Sequence, residues 1–184
     1  MTNGPTFPWH LTNLGNWTHL TNVDQSSAAS GPFDVKQPDS GIATAALPGS
    51  STSVGRFIRA VFYSNFTEKV ADPDKAMHNL SRIMNNFDRP RALSTSPATG
   101  GGEGMKSQGI DSGNAGPPTE YTVWTNMADL SRGQFFFRSY DAFSWTSFDL
   151  SAIEEANEPR AMLTSQLDAL GGDGTTALLA GMGI

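Results

Sequence analysis

The chain contains no cysteine. That excludes disulfides, thiolate metal sites and a cysteine nucleophile within these residues. It leaves the compartment open, since a secreted protein need not carry disulfides. No apolar run approaches the roughly 20 residues that span a bilayer, and no membrane partner is expected. The opening Met1-Thr-Asn-Gly-Pro has neither a basic region nor an apolar stretch, so it does not read as a signal peptide. Basic residues are scarce as well, with 12 Lys and Arg against 18 Asp and Glu for a net charge of −6. They form no stripe, which argues against nucleic acid as a partner. His10, His19 and His78 do not pair at metal-ligand spacing and sit beside no carboxylate cluster, so they read as surface or interface residues.

What is present suffices for a globular domain. Hydrophobic residues make up 38% of the 184 residues and aromatics 10%, enough for a core in a chain of this length. After the Gly4-Pro5 turn signal, Thr6 is placed to cap a helix entered through Pro8, with Leu11, Leu14 and Trp17 on a rough apolar stripe. Ser26 to Ser53 is rich in Ser, Gly and Pro and reads as a long loop. Val54, Phe57, Ile58, Val61 and Phe62 recur at i, i+3, i+4, i+7 and i+8, which predicts an amphipathic helix. Asp72-Pro73 predicts the start of a second helix that buries Met77, Leu80, Ile83, Met84 and Phe87 and stops before Pro90.

Thr95 to Pro118 is polar, glycine-rich and without periodicity, a long loop. Its Gly100-Gly-Gly-Glu-Gly run lacks the Lys-Ser/Thr of a phosphate-binding loop. Three strands are predicted next, at 121–127, 134–140 and 144–150, joined as an antiparallel meander. Phe135, Phe136 and Phe137 point to both faces of the second, as in a strand buried between two layers. Ser151 and Glu154 then form a capping-box pattern for a short helix, and the tail from Gly171 reads as weakly ordered. Helices followed by strands define an α+β class. Three strands alone leave edges exposed, which points to a larger sheet.

Three segments carry a resemblance. They are Met1-Thr-Asn-Gly-Pro-Thr-Phe-Pro-Trp-His-Leu-Thr-Asn-Leu, then Leu47-Pro-Gly-Ser-Ser-Thr-Ser-Val-Gly-Arg-Phe-Ile-Arg-Ala, then Thr119-Glu-Tyr-Thr-Val-Trp-Thr-Asn-Met-Ala-Asp-Leu with Gln134-Phe-Phe-Phe-Arg-Ser-Tyr-Asp and Phe148-Asp-Leu. In this order they resemble the choloylglycine hydrolase family, which includes conjugated bile acid hydrolases and penicillin V acylases. The resemblance implies the αββα sandwich of the N-terminal-nucleophile hydrolases, present here as its C-terminal half. Residues 1–153 would be that half and 154–184 a partly ordered extension. In such enzymes a processed N-terminal cysteine attacks the amide carbonyl, with its own α-amine as base and no metal or cofactor. Met1 matches an internal family position, so the start reads as a truncation, and the missing N-terminal half is an expected partner.

Two active-site positions of the family fall within this chain. Asn3 matches the asparagine whose side-chain amide helps form the oxyanion hole. Arg56 matches the arginine near the nucleophile, where a fixed guanidinium favours a thiolate. The chain departs from the family pattern at Phe7-Pro8, where a carboxylate is common, and at Gly55, where a small polar residue is usual. The implied substrates are small acyl amides such as conjugated bile salts, penicillin V or acyl-homoserine lactones, with contacts in a homo-oligomer left open. Two other readings stand beside this one. Thr2 would be an N-terminal threonine nucleophile if Met1 were removed, and the chain would otherwise be a non-catalytic binding or assembly subunit. Asn16, Asn65 and Asn79 begin glycosylation triplets of a kind that arises often by chance.

Overall fold

The computed structural model describes residues 4–95, 119–156 and 159–181. The chain divides into two compact units, residues 1–69 and 70–184.

In the first unit, helix α1 (Phe7–Asn13) follows Thr6 and carries proline in its first turn, then runs into a 3₁₀ turn over Leu14–Trp17. Its one buried residue is His10, 1% exposed. The imidazole lies flat on the Phe57 ring, with centroids 4.4 Å apart and planes 22° from parallel, and Phe7 meets the same ring edge-on at 6.1 Å. The expectation of a surface histidine is therefore corrected. Phe57 receives positions 7 and 10, which share a helix face, and this turns Leu11 outward to 50% exposure.

The stretch expected to be a loop holds a hairpin, β1 (Ser27–Ser30) and β2 (Phe33–Lys36), in register from Ser27↔Lys36 to Ser30↔Phe33. Its tight turn needs Gly31, at φ +59°, a region that favours glycine. Both strands are exposed along their whole length, so burial leaves no hydrophobic signature in the sequence. Asp24 fastens the base, accepting from the Gly41 N–H at 2.7 Å and the Ala43 N–H at 2.8 Å.

Helix α2 (Ser53–Phe66) is capped by Thr52, whose hydroxyl accepts from the Gly55 N–H at 3.2 Å. Ile58 and Phe62 are buried as predicted, at 0% and 6% exposure. Val54, Phe57 and Val61 are only half-buried. The buried line is completed by Gly55 and Arg59, one residue round the helix from the predicted stripe.

In the second unit, helix α3 (Pro73–Asn85) starts as predicted. The Asp72 carboxylate accepts from the Asp74 and Lys75 N–H groups at 2.9 and 3.2 Å. The predicted meander is present as β3 (Trp124–Asp129), β4 (Gln134–Ser139) and β5 (Thr146–Asp149). A short fourth strand, β6 (Gly172–Asp173), adds to β5 in parallel. Pairing places Thr125, Met127, Phe136 and Arg138 on one face of the sheet. There Asp88, just beyond α3, accepts from Thr125 Oγ1 at 3.2 Å and Arg138 Nη2 at 2.6 Å. The opposite face carries Trp124, Asn126, Ala128, Phe135, Phe137, Thr146 and Phe148. Of these, Thr146 and Phe148 are buried, whereas Trp124, Asn126 and Ala128 are exposed.

The tail expected to be weakly ordered supplies the cover for Thr146 and Phe148. Helix α5 (Thr164–Asp168) accepts a bond from the Ser139 hydroxyl through Asp168, and helix α6 (Thr175–Leu179) follows β6. The Gly174 N–H donates to Ser147 O at 2.8 Å, and the Asp149 N–H donates to Thr175 Oγ1 at 2.9 Å. These are backbone and glycine contacts, which leave no apolar periodicity to read. Helix α4 (Leu150–Glu155) is capped two residues earlier than predicted. Asp149, not Ser151, accepts from the Ser151 and Ala152 N–H groups, because its carboxylate reaches both at 2.9 and 3.2 Å. Of the predicted 95–118 loop, Thr95 bridges to Thr119 and residues 96–118 lie outside the described set.

A β-carbon at Gly174 would stand 2.5 Å from Thr146 Cγ2 and 2.9 Å from Phe148 Cε1. Gly174→Ala should therefore cost about 1–3 kcal/mol by overpacking, read as a lower urea midpoint with unchanged slope. Acid should weaken both units. Asp24 is held below the ordinary carboxylate range by the Ala43 and Gly41 amides, Asp129 by the Arg132 side chain, and Asp173 by the Thr175 hydroxyl and amide. Because the native values are depressed, the unfolded chain takes up protons first as pH falls. Their contribution is complete above about pH 4 and is lost as pH drops through the native values. Thermal melts from pH 7 to pH 3 should show the melting temperature falling only at the acid end.

Candidate active site

The segment Leu47-Pro-Gly-Ser-Ser-Thr folds back against the first turns of α2, and three residues of the helix fix it there. Gly55 gives it room. A β-carbon at that position would lie 2.4 Å from Ser50 Oγ and 2.7 Å from Ser50 O. That close approach accounts for the glycine. Arg59 then ties the segment down, its Nη1 donating to Pro48 O at 2.6 Å and Ser50 O at 2.7 Å. Arg56 Nη1 donates to the next carbonyl, Ser51 O, at 2.5 Å. Within the turn, the Ser50 and Thr52 hydroxyls are 2.9 Å apart.

Both guanidiniums thus grip backbone carbonyls. Arg59 is buried at 9% exposure, whereas Arg56 is half-buried. Burial holds Arg59 below its ordinary pKa, with Arg56 adding to that effect and Tyr63 opposing it. Among the described residues no carboxylate pairs with Arg56, and the first turn of α2 holds no acidic residue. A cation in the first turn lies against the helix dipole, which prefers anions there and typically disfavours a positive charge by about 0.3–1 kcal/mol. The α2 N-terminus is therefore a positive centre with no paired carboxylate among the described residues. It suits a thiolate, carboxylate or oxyanion.

The second unit offers a contrast. A hollow of about 390 Å³ is lined by Arg89, Trp124, Thr125, Arg138, Tyr140 and Phe143, among others. Its cations are already matched, Arg89 by Glu120 at 2.8 Å and Arg138 by Asp88 at 2.6 Å. Arg91 lies nearby between Tyr121 and Tyr140, 4.5 and 4.6 Å from their ring centres.

Of the residues singled out in the sequence, Arg56 therefore stands at the N-terminus of α2, while Asn3 and Thr2 lie outside the described residues. Arg59 is the participant that the sequence reading passed over. The Arg-Phe-Ile-Arg spacing, two arginines at i and i+3 on one helix face, was its one visible signal. Among the described residues no group of three or more His, Cys, Asp or Glu is placed to hold a metal, and no helix is long and apolar enough to cross a membrane.

Comparison with known proteins identifies the family. The chain matches the linear amide C–N hydrolases, choloylglycine hydrolase family, over residues 1–99, and it belongs to that family. A conjugated bile acid hydrolase of Lactobacillus acidophilus is 30% identical over 150 residues, which cover 82% of this chain and 42% of that protein. A bile salt hydrolase/transferase of Lactiplantibacillus plantarum is 24% identical over 151 residues, 82% of this chain and 41% of that one. Among solved structures, a conjugated bile acid hydrolase from Clostridium perfringens matches with a TM-score of 0.61 at 20% identity, covering 82% of this chain and 40% of that chain. A penicillin V acylase from Agrobacterium tumefaciens matches with a TM-score of 0.53 at 24% identity, covering 82% and 35%. The fold is thus that of the N-terminal-nucleophile hydrolases, in α+β form, and the chain spans about 40% of the length of these relatives.

Replacing Gly55 should open the turn. Gly55→Ala forces Ser50 off the helix, and a loss of about 1–3 kcal/mol is expected from the overpacking. Chemical denaturation checks this; an unchanged midpoint would mean the turn yields freely.

Proposed function

We propose that this chain supplies the oxyanion donor and the fixed cation of a hydrolase acting on linear amides, with residues 1–153 as the family-like part and 154–184 as an extension. Asn3 is the donor by its match to the family's oxyanion-hole asparagine, and one such donor typically contributes about 10²–10³ in turnover. Arg56 is the cation. The single observation behind its role is that its guanidinium is anchored on Ser51 O at the α2 N-terminus without a carboxylate partner among the described residues. A positive centre left unpaired among the described residues is available to a negative sulfur, and it favours thiolate over thiol.

The chain itself has no cysteine, so the nucleophile is carried outside these 184 residues. The sulfur attacks the amide carbonyl, the acyl group passes to it, the protonated amine departs, and water releases the acid and frees the thiol. The candidate substrates are small acyl amides, with conjugated bile salts and penicillin V favoured by the names of the relatives, and acyl-homoserine lactones beside them.

The test is hydrolysis by the chain combined with the cysteine-bearing segment, followed as amine release from a taurine- or glycine-conjugated bile salt and from penicillin V. Asn3→Ala should lower kcat by about 10²–10³-fold while the melting temperature stays put. Turnover within twofold of the parent would remove Asn3 from the mechanism. Failure to cleave any acyl amide would favour a non-catalytic binding or assembly role.

A further inference from the structure

We infer that Arg59 is a positioning residue for Arg56, acting through the backbone of the Pro48–Ser51 turn. The inference rests on the reading of Arg56 as the site's cation, and it says how that cation is kept in place.

Among the described residues the Arg56 guanidinium is held by one bond, from its Nη1 to Ser51 O at 2.5 Å. The placement of that carbonyl is thus the placement of the charge. Ser51 belongs to a turn that Arg59 grips from inside, with Pro48 O and Ser50 O as acceptors at 2.6 and 2.7 Å. Ser50 and Ser51 are adjacent, so the peptide unit Arg59 holds is joined directly to the carbonyl Arg56 uses. Gly55 closes the same device from the helix side, since Ser50 O would be 2.7 Å from any β-carbon there.

The chemistry also separates the two arginines. Both bonds leave the single Nη1 of a buried guanidinium, so losing it removes the donor that ties Pro48 O and Ser50 O to the helix. Arg56 has the opposite character, being half-buried at a helix end with charge to spare. One arginine is spent on geometry and the other is kept for electrostatics. Lysine at 59 would preserve the charge and one donor nitrogen, on a shorter and more flexible stem, and should hold the two carbonyls only in part.

The test has two arms. In the 184-residue chain, side-chain nitrogen NMR follows the Arg56 guanidinium in Arg59→Met, with Arg59→Lys as the conservative variant should Arg59→Met not fold. The Arg56 resonance should lose its dispersion and slow exchange in Arg59→Met and recover in part in Arg59→Lys, while α2 keeps its circular dichroism. In the chain combined with the cysteine-bearing segment, the pH profile of cysteine alkylation by iodoacetamide should move to higher pH in both Arg56→Ala and Arg59→Met. The double variant should move it no further. Turnover in Arg59→Met should fall about 10- to 100-fold, as expected for a misplaced group, with KM nearly unchanged.

An unchanged Arg56 resonance and alkylation profile in Arg59→Met, with only the melting temperature lowered, would overturn the inference and leave Arg59 a packing residue. A profile that fails to move in Arg56→Ala would instead sink the role of Arg56, while the NMR arm would still decide whether Arg59 sets its position.

Discussion

The close approach of the Pro48–Thr52 turn to the first turns of α2 is the constraint around which the candidate site is organised. It needs a residue without a side chain at 55, because Ser50 O stands where a β-carbon would be. It needs a long buried donor at 59, because two turn carbonyls point into the helix at hydrogen-bonding distance. It also needs a cap at 52, whose hydroxyl satisfies the Gly55 N–H that the helix leaves over. Once these three are met, Ser51 O is fixed and the Arg56 guanidinium follows. The next residue, Phe57, then presents its ring to His10 and Phe7 of α1. The helix that begins just after Asn3 is thus packed on the residue just after Arg56.

The second unit follows a different logic. Its sheet is covered on one face by α3 and the polar contacts of Asp88, and on the other by the tail, but only over β4 and β5. Trp124, Asn126 and Ala128 of the edge strand face outward, with Trp124 stacked on Phe137 at 5.8 Å. A sheet in this family's fold has a second sheet against it, and this chain spans about 40% of the length of its relatives. The three phenylalanines of β4 are half-buried, short of the burial between two layers that their sequence suggests.

How much was legible depended on what kind of physics wrote each element. Helix α3 was plain because Asp72-Pro73 is a local signal and its apolar spacing is regular, and the meander was plain because β-branched and aromatic residues cluster between turn residues. The family resemblance was legible from short ordered segments, and Arg56 came with it. The hairpin over 27–36 was not, because strands exposed on both faces need no alternation. Nor were β6 and α6, whose docking relies on Gly174 and backbone amides. His10 was misread because a flat polar ring buried by stacking looks, in sequence, like any exposed histidine. Arg59 was overlooked for a related reason. A charged residue on a buried helix face is intelligible only once the carbonyls it satisfies have been brought to it by the turn.

The aspartates have a common employment that reaches beyond the elements they cap. Asp24, Asp72, Asp129, Asp149 and Asp173 each accept hydrogen bonds from backbone amides. In a chain of net charge −6, five of the 18 acidic residues are thereby committed to amides a few ångströms away. Contacts that short lie well inside the Debye length of about 8 Å at physiological ionic strength. Added salt screens them little, while it does relax the repulsion among the remaining surface charges. The molecule is therefore built to tolerate saline surroundings better than its acidity suggests, and to be sensitive to protons where it is indifferent to sodium.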